Sequence, residues 1–163
     1  MDKLDIPNRT VHYEWRNKPE TCTIGGKTHT YKGQGERKWA LYLQMLKELG
    51  AITDWWYESE IFHFKERYSM KHTYTLDFKV LEDGQFVYYE YKNCYIKQKD
   101  VSRLRRMAKD FRDIKIILVV PNPIKNKHKS KATMKQHILR ERALQFVEKI
   151  IYCNPLFRKF SIK

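Results

Sequence analysis

Glu90-Tyr91-Lys92 begins thirteen positions after Asp77, and both lie in strand-like runs, Tyr74–Val80 and Phe86–Lys92, joined by Glu82-Asp83-Gly84-Gln85. An Asp-Gly pair between two alternating runs predicts a hairpin, and on a strand every second side chain shares a face. On that reading Thr75, Asp77 and Lys79 face one way, and Leu76, Phe78 and Val80 the other. On the partner strand Glu90 and Lys92 share a side. Two carboxylates and an ammonium then converge on one surface. Carboxylate oxygens are what hard divalent cations bind, and a lysine beside them can orient a water or offset charge that develops on a phosphate. The competing reading is an exposed hairpin carrying a solvated salt bridge.

The elements around the hairpin must position these groups. Thr21–Tyr31, with Gly25-Gly26 at its centre, predicts a small hairpin. From Glu36 to Leu49 the residues Trp39, Tyr42, Leu43, Met45, Leu46 and Leu49 fall on one helical face, and Gly50 supplies the stop. Glu36 lies in the first turn at the border of that face. Acids are favoured there by the helix dipole, which is the bland account of Glu36. The aromatic and β-branched stretch Ile52–Phe64 predicts one strand, with Trp55, Trp56, Tyr57, Phe62 and Phe64 in the core or on a sheet face. A helix over about Asp100–Phe111 buries Val101, Leu104, Ala108 and Phe111. Ile114–Val120, an apolar run interrupted by Lys115, is expected to be a buried central strand, closed by Pro121-Asn122-Pro123. A last helix is expected over about Lys131–Tyr152. Its stripe of Leu139, Ala143, Phe146, Val147, Ile150 and Ile151 must meet either the domain or a second subunit.

Charge narrows the partner. Lys+Arg number 33 against Asp+Glu 19, a formal net charge of +14, which points to a polyanion, most simply nucleic acid. Lys97, Lys99, Arg103 and Arg106 follow the hairpin closely and are expected on phosphates. Lys125, Lys127 and Lys129 form a second basic run, either a DNA-backbone contact or a solvated linker. No apolar run is long enough for a membrane span, and Met1-Asp2-Lys3-Leu4-Asp5 opens no signal peptide, so a soluble intracellular protein without a membrane partner is expected. The isolated Cys22, Cys94 and Cys153 suit a reducing compartment and a structural role. Scattered histidines argue against zinc, and no phosphate-binding glycine loop or nucleophile elbow is present.

The order helix, strand, two-stranded hairpin, helix, strand, with Glu36, Asp77, Glu90 and Lys92 at successive stations, resembles the PD-(D/E)XK nuclease superfamily over about residues 21–120. Within it the chain looks most like small phage-type nucleases similar to Holliday-junction resolvases. Ile24-Gly25-Gly26-Lys27, the Glu36 helix running into Leu49-Gly50-Ala51-Ile52, Tyr74-Thr75-Leu76-Asp77-Phe78 and Glu90-Tyr91-Lys92 carry the match. Endonuclease subunits of heteromeric transposases are a weaker match over the same hairpin. Leu76 stands where the family usually has proline, which removes a rigidity device and no ligand. Asn93 stands where a small residue, often glycine, tends to follow the lysine.

The resemblance implies an α/β fold with a restriction-endonuclease-like core, a mixed central sheet flanked by helices, over residues 21–121. An N-terminal arm, 1–20, and a basic C-terminal helical extension, 122–163, complete the expected organisation. It implies Asp77, Glu90 and the Tyr91 carbonyl as ligands of Mg²⁺, with Mn²⁺ able to substitute, Lys92 as the catalytic lysine, and Glu36 as an assisting group or second-metal ligand. The implied activity is a Mg²⁺-dependent DNA endonuclease selective for branched DNA, working as a homodimer in the cytoplasm of a host cell if phage-encoded. The alternatives are a transposase-type cutting subunit, a nonspecific nickase or RNA-directed enzyme, and a non-enzymatic DNA-binding protein on a nuclease scaffold.

Overall fold

The computed structural model describes residues 18–65, 72–93 and 95–163. Most of the expected N-terminal arm, residues 1–17, and Cys94 lie outside the described residues. The elements run β1 (Glu20–Ile24), β2 (Lys27–Tyr31), α1 (Gln34–Glu48), β3 (Asp54–Tyr57), β4 (Ile61–His63), β5 (Thr73–Thr75), β6 (Phe78–Glu82), β7 (Gln85–Tyr91), α2 (Gln98–Asp110), β8 (Lys115–Val120), α3 (Lys131–Ala143), β9 (Lys149–Tyr152) and α4 (Cys153–Lys159). The fold is mixed α/β. A central five-stranded sheet has the order β3-β6-β7-β8-β9, with β1-β2 and β4-β5 as separate two-stranded pairs.

Local chemistry accounts for the joints. The β6–β7 hairpin turns on Asp83 and Gly84, both at positive φ (48° and 74°), between the paired Glu82 and Gln85. This is the primed two-residue turn whose twist matches the flanking strands. At the end of α1, Gly50 (φ 71°) lets its own N–H reach the Lys47 carbonyl and the Ala51 N–H reach Leu46, so the helix closes in a Schellman motif. Beyond the hairpin, β7 pairs with β8 in parallel, and so does β8 with β9. Parallel neighbours need a crossover, and α2 and α3 supply them.

Two cores lie on either side of the sheet. On one face α1, β1-β2 and α4 bury Trp39, Tyr31, Leu43 and Phe157 against Trp55, Phe78, Val80, Tyr89 and Tyr91. On the other, α2, α3 and β4-β5 bury Leu104, Met107, Leu139 and Phe62 against Tyr88, Ile116 and Leu118. In α2 the stripe includes Met107, fully buried, while Ala108 and Phe111 are only half-buried. Asp54 ties the first layer together: its Oδ1 accepts from Lys27 Nζ (2.8 Å) and Lys47 Nζ (2.9 Å). Of the thiols, Cys153 is buried and Cys22 half-buried, both free, as structural cysteines would be.

Three expectations need correction. Ile52–Phe64 is two strands in different sheets, β3 paired with β6 and β4 with β5. Glu58 at φ 43° turns the chain between them, so Trp55 and Tyr57 enter one core while Phe62 and Phe64 enter the other. The Tyr74–Val80 run is likewise broken. Thr73–Thr75 belongs to the β4-β5 pair, and Leu76 packs in the core opposite to that of Phe78 and Val80, so simple alternation fails across Asp77.

The third correction concerns the C-terminus. Instead of one helix over 131–152, α3 stops at Ala143, β9 extends the central sheet, and α4 packs on the α1 side. The β-branched Ile150 and Ile151 pair with Leu118 and Val119 of a strand already buried on both faces, a better home than an exposed helical stripe. Leu139, Ala143 and Val147 pack in the second core, and Ile151, Cys153 and Phe157 in the first. The stripe therefore gives no reason to expect a second subunit. Residues 122–163 are an integral part of the sheet and both cores rather than a helical extension.

A chain ending at Pro123 should accordingly lose cooperative thermal unfolding, read by circular dichroism, rather than persist as a folded monomer. Leu139→Ala alone should cost about 2–5 kcal/mol. Partial burial would raise the Asp54 carboxyl, but Lys27, Lys47 and the Trp55 N–H hold it down to about 2. A depressed acid stabilises above its unfolded value, near 3.8, and loses that contribution as pH falls through 2. Asp54→Asn should flatten this part of the acid-unfolding curve and leave the neutral-to-alkaline limb unchanged in shape.

Candidate active site

The break between β5 and β6 creates the site. Because β6 begins only at Phe78, the end of β7 has no ladder partner on that side, and Asp77 Oδ2 accepts the Tyr91 N–H (2.8 Å) in its place. On its other side β7 still follows β8, with the Lys92 N–H bonded to the Val119 carbonyl (2.8 Å). Glu90 is 2 % exposed and Asp77 5 % exposed. Glu90 Oε1 accepts from the Tyr74 hydroxyl (2.6 Å) and from Lys92 Nζ (2.7 Å), while Glu90 Oε2 is buried with no hydrogen-bond partner among the described residues.

Lys92 is shared. Its Nζ also lies 3.4 Å from Asp100 Oδ1, and Asp100 Oδ2 is fixed by the Lys97 main-chain N–H (2.8 Å) in the first turn of α2. Burial alone would lower the Lys92 ammonium, yet the carboxylates of Glu90 and Asp100 outweigh it and hold it above its ordinary value. Lys92 thus keeps its proton and acts as a fixed positive charge.

Glu36 enters from α1. Its Oε2 accepts the Lys32 N–H (3.0 Å), reaching back across the helix start where Gly33 offers no side-chain cap, and the Tyr57 hydroxyl (2.6 Å) from the end of β3. Burial raises its carboxyl above the usual range despite these bonds. The helix-terminus account and the site account of Glu36 are both satisfied by this geometry. Lys32 and Glu58 form an ion pair at the rim, and the Glu58 N–H donates to the Asp77 carbonyl (2.8 Å). Gly35 is required sterically, since a Cβ there would run into the Tyr91 hydroxyl.

The structure therefore brings Asp77, Glu90 and Lys92 together, with Glu36 near enough to act on Asp77 through its charge. Burial pushes Asp77 well above the carboxylate range, and the charges of Glu90 and Glu36 push it further, with Lys92 and the Tyr91 N–H opposing. A surplus of buried carboxyl oxygen over positive charge, one oxygen of Glu90 being unpartnered, fits a hard divalent cation at Asp77 and Glu90. Among the described residues no three His, Cys, Asp or Glu side chains are grouped to hold an ion unaided. Main-chain carbonyl and water oxygens would complete the sphere, as is usual for Mg²⁺.

Of the expected phosphate contacts, Lys97 and Lys99 are exposed at the start of α2. The Arg103 guanidinium lies over the ring of Tyr74 (5.7 Å), whose hydroxyl reaches Glu90, and that of Arg106 lies over Phe64 (4.0 Å) about one turn further along α2. Lys125, Lys127 and Lys129 are exposed in the loop between β8 and α3. Sequence reasoning missed the supporting groups Tyr74, Asp100, Tyr57, Lys32 and Glu58. Asp100 alone carried a signal, as an acid at a helix start; the others are joined to the site only by folding. Scans of protein-family models and of curated proteins find no match to this chain.

Asp77→Asn removes a charge that burial and two neighbouring carboxylates disfavour. In EDTA at neutral pH it should raise the melting temperature, by about 2–4 °C for each kcal/mol released. It should also abolish the further rise that Mg²⁺ gives the wild type. A melting temperature unchanged in EDTA would contradict the electrostatic reading of the site.

Proposed function

We propose that the chain is a Mg²⁺-dependent DNA endonuclease that hydrolyses phosphodiester bonds, with branched DNA as its preferred substrate. The observation that carries this reading is the convergence of Asp77, Glu90, Lys92 and Glu36 at the end of β7, from separate places in the chain, with basic α2 beside them. The order of elements, the +14 charge and the PD-(D/E)XK resemblance support it. No helix among the described residues is long and apolar enough to cross a membrane.

A divalent cation at Asp77 and Glu90 would supply Lewis acidity toward the scissile phosphate and the attacking water. The remaining work falls to the chain. Lys92, locked between Glu90 and Asp100, presents a permanent ammonium to charge that grows on the phosphate oxygens. Its raised pKa favours this role over that of a base. Glu36, whose burial raises its affinity for a proton, is suited to take one from the attacking water. Arg103 and Arg106, stacked on Tyr74 and Phe64, position the backbone that leads into the cleft.

The test compares four-way junction, flap, linear duplex and single strand, with Mg²⁺ and with EDTA. Cleavage should require the cation and be fastest on the junction. Asp77→Asn and Glu90→Gln should reduce it to background while DNA binding persists. Lys92→Ala should lower the rate by roughly 10²–10³ with little change in affinity, because it removes a transition-state contact. Wild-type-like cutting by either carboxylate variant would overturn the assignment.

A further inference from the structure

The cations that follow the hairpin do not form one patch. At 3.6 residues per turn Arg103 and Arg105 project about 160° apart around α2. One flank, with Arg103 over Tyr74, borders the cleft. The other faces α3, and along that seam runs an open trough whose connected stretches measure about 490, 310 and 730 Å³. Gln98 and Arg142 line both the first and second stretches; Ser102, Arg105 and Phe146 line both the second and third.

The lining chemistry is one-sided. Lys131, Lys135 and Arg142 stand on the α3 wall, and Arg105, Arg106, Lys109 and Arg112 on or just beyond α2, Arg106 being shared with the flank of Arg103, while among the described lining residues Asp110 is the one carboxylate. Asp110 is already engaged by the Lys65 main-chain N–H (2.9 Å). Ser102, Gln98 and Ser130 add neutral donors over a floor that includes Leu139 and Phe146. Guanidinium, ammonium, hydroxyl and amide groups in a line are suited to phosphate and sugar contacts rather than to reading bases. From Gln98 to Arg112 the seam is about 21 Å long, room for roughly six nucleotides of one strand.

A segment lying in the cleft cannot also reach this seam directly, because α2 with its side chains is about 10–12 Å thick and stands between them. Nor can α2 enter a major groove so that one duplex lays a backbone on each flank, since a groove about 12 Å wide admits a single helix and α3 packs alongside α2. We propose that the α2–α3 seam is a second DNA track, holding the sugar–phosphate backbone of a segment other than the one whose phosphate enters the cleft. The inference rests on the nucleic-acid part of the reading above, and it names what would favour a branched substrate: only DNA that presents two diverging segments satisfies both flanks of α2.

Fluorescence anisotropy in EDTA with a labelled linear duplex and a four-way junction built from the same arms tests this without cleavage. Arg105→Ala with Arg142→Ala should weaken junction binding about tenfold and lower its salt slope by about 2, at roughly 0.9 for each phosphate that is no longer neutralised. Duplex affinity should be unchanged, as should the Mg²⁺-dependent cutting rate at saturating junction. An equal loss on the duplex would place both flanks on one segment, and no loss on either DNA would leave the seam a solvated groove. Each result overturns the proposal. Tight, seam-dependent junction binding by a wild type that never cuts would instead sink the nuclease reading and leave the second track standing. A wild type that binds no DNA would sink both.

Discussion

Two carboxyl groups buried side by side, Asp77 and Glu90, are the constraint around which the rest of the structure is arranged. Neither has enough water to screen it, and the charge of Glu90 raises the cost of charging Asp77. The fold tolerates the pair because β7 lies inside the sheet with its end held by β8, so Glu90 cannot swing outward. Lys92 and the Tyr74 hydroxyl hold one oxygen of Glu90, and the Tyr91 N–H holds one of Asp77. What remains is a deficit of positive charge at a fixed place. A pocket in that condition has a use for a cation in a way that an exposed hairpin salt bridge does not.

The same constraint explains why the chain departs from regular structure where it does. Glu58 at φ 43° and the break before Phe78 both interrupt strands whose residues favour continuation. Each interruption sends one half of a run to the core on the α1 side and the other half to the core on the α2 side. Asp77 sits at the point of divergence, where its side chain is released from the alternation of a strand and can turn toward Tyr91. A non-glycine residue in the left-handed region costs of order 1–3 kcal/mol. Here the Glu58 N–H and side chain are both engaged, by Asp77 and Lys32, at the rim of the site.

Charge is divided between the inside and the outside of the molecule. The acid surplus is buried at the end of β7, whereas the basic surplus is displayed on α2, α3 and the loop between β8 and α3. A polyanion drawn to the outer charge meets a site whose inner charge would repel it. On the proposed function, a divalent cation and Lys92 would reconcile the two at the reacting phosphate, while the outer charge would hold the rest of the polyanion whether or not the site is filled.

Much of this was legible in the chain itself. The Asp83-Gly84 turn, the helix carrying Glu36, the apolar Ile116–Val120 strand and the pairing of Glu90 with Lys92 all follow from local rules: φ preference, a 3.6-residue period, apolar continuity and a two-residue spacing. The failures share one cause. Ile52–Phe64, Tyr74–Val80 and 131–152 are each apolar enough to continue as a single element, and nothing local says that the two halves of a run face different cores or that Ile150-Ile151 will be captured by Leu118 and Val119. By the same reasoning residue types and spacing nominated Glu36, Asp77, Glu90 and Lys92. Only the folded chain could add Tyr74, Tyr57, Lys32 and Glu58, because hydrogen bonds and ion pairs between groups distant in sequence leave no periodicity to read, and only packing decides which of many carboxylates loses its water.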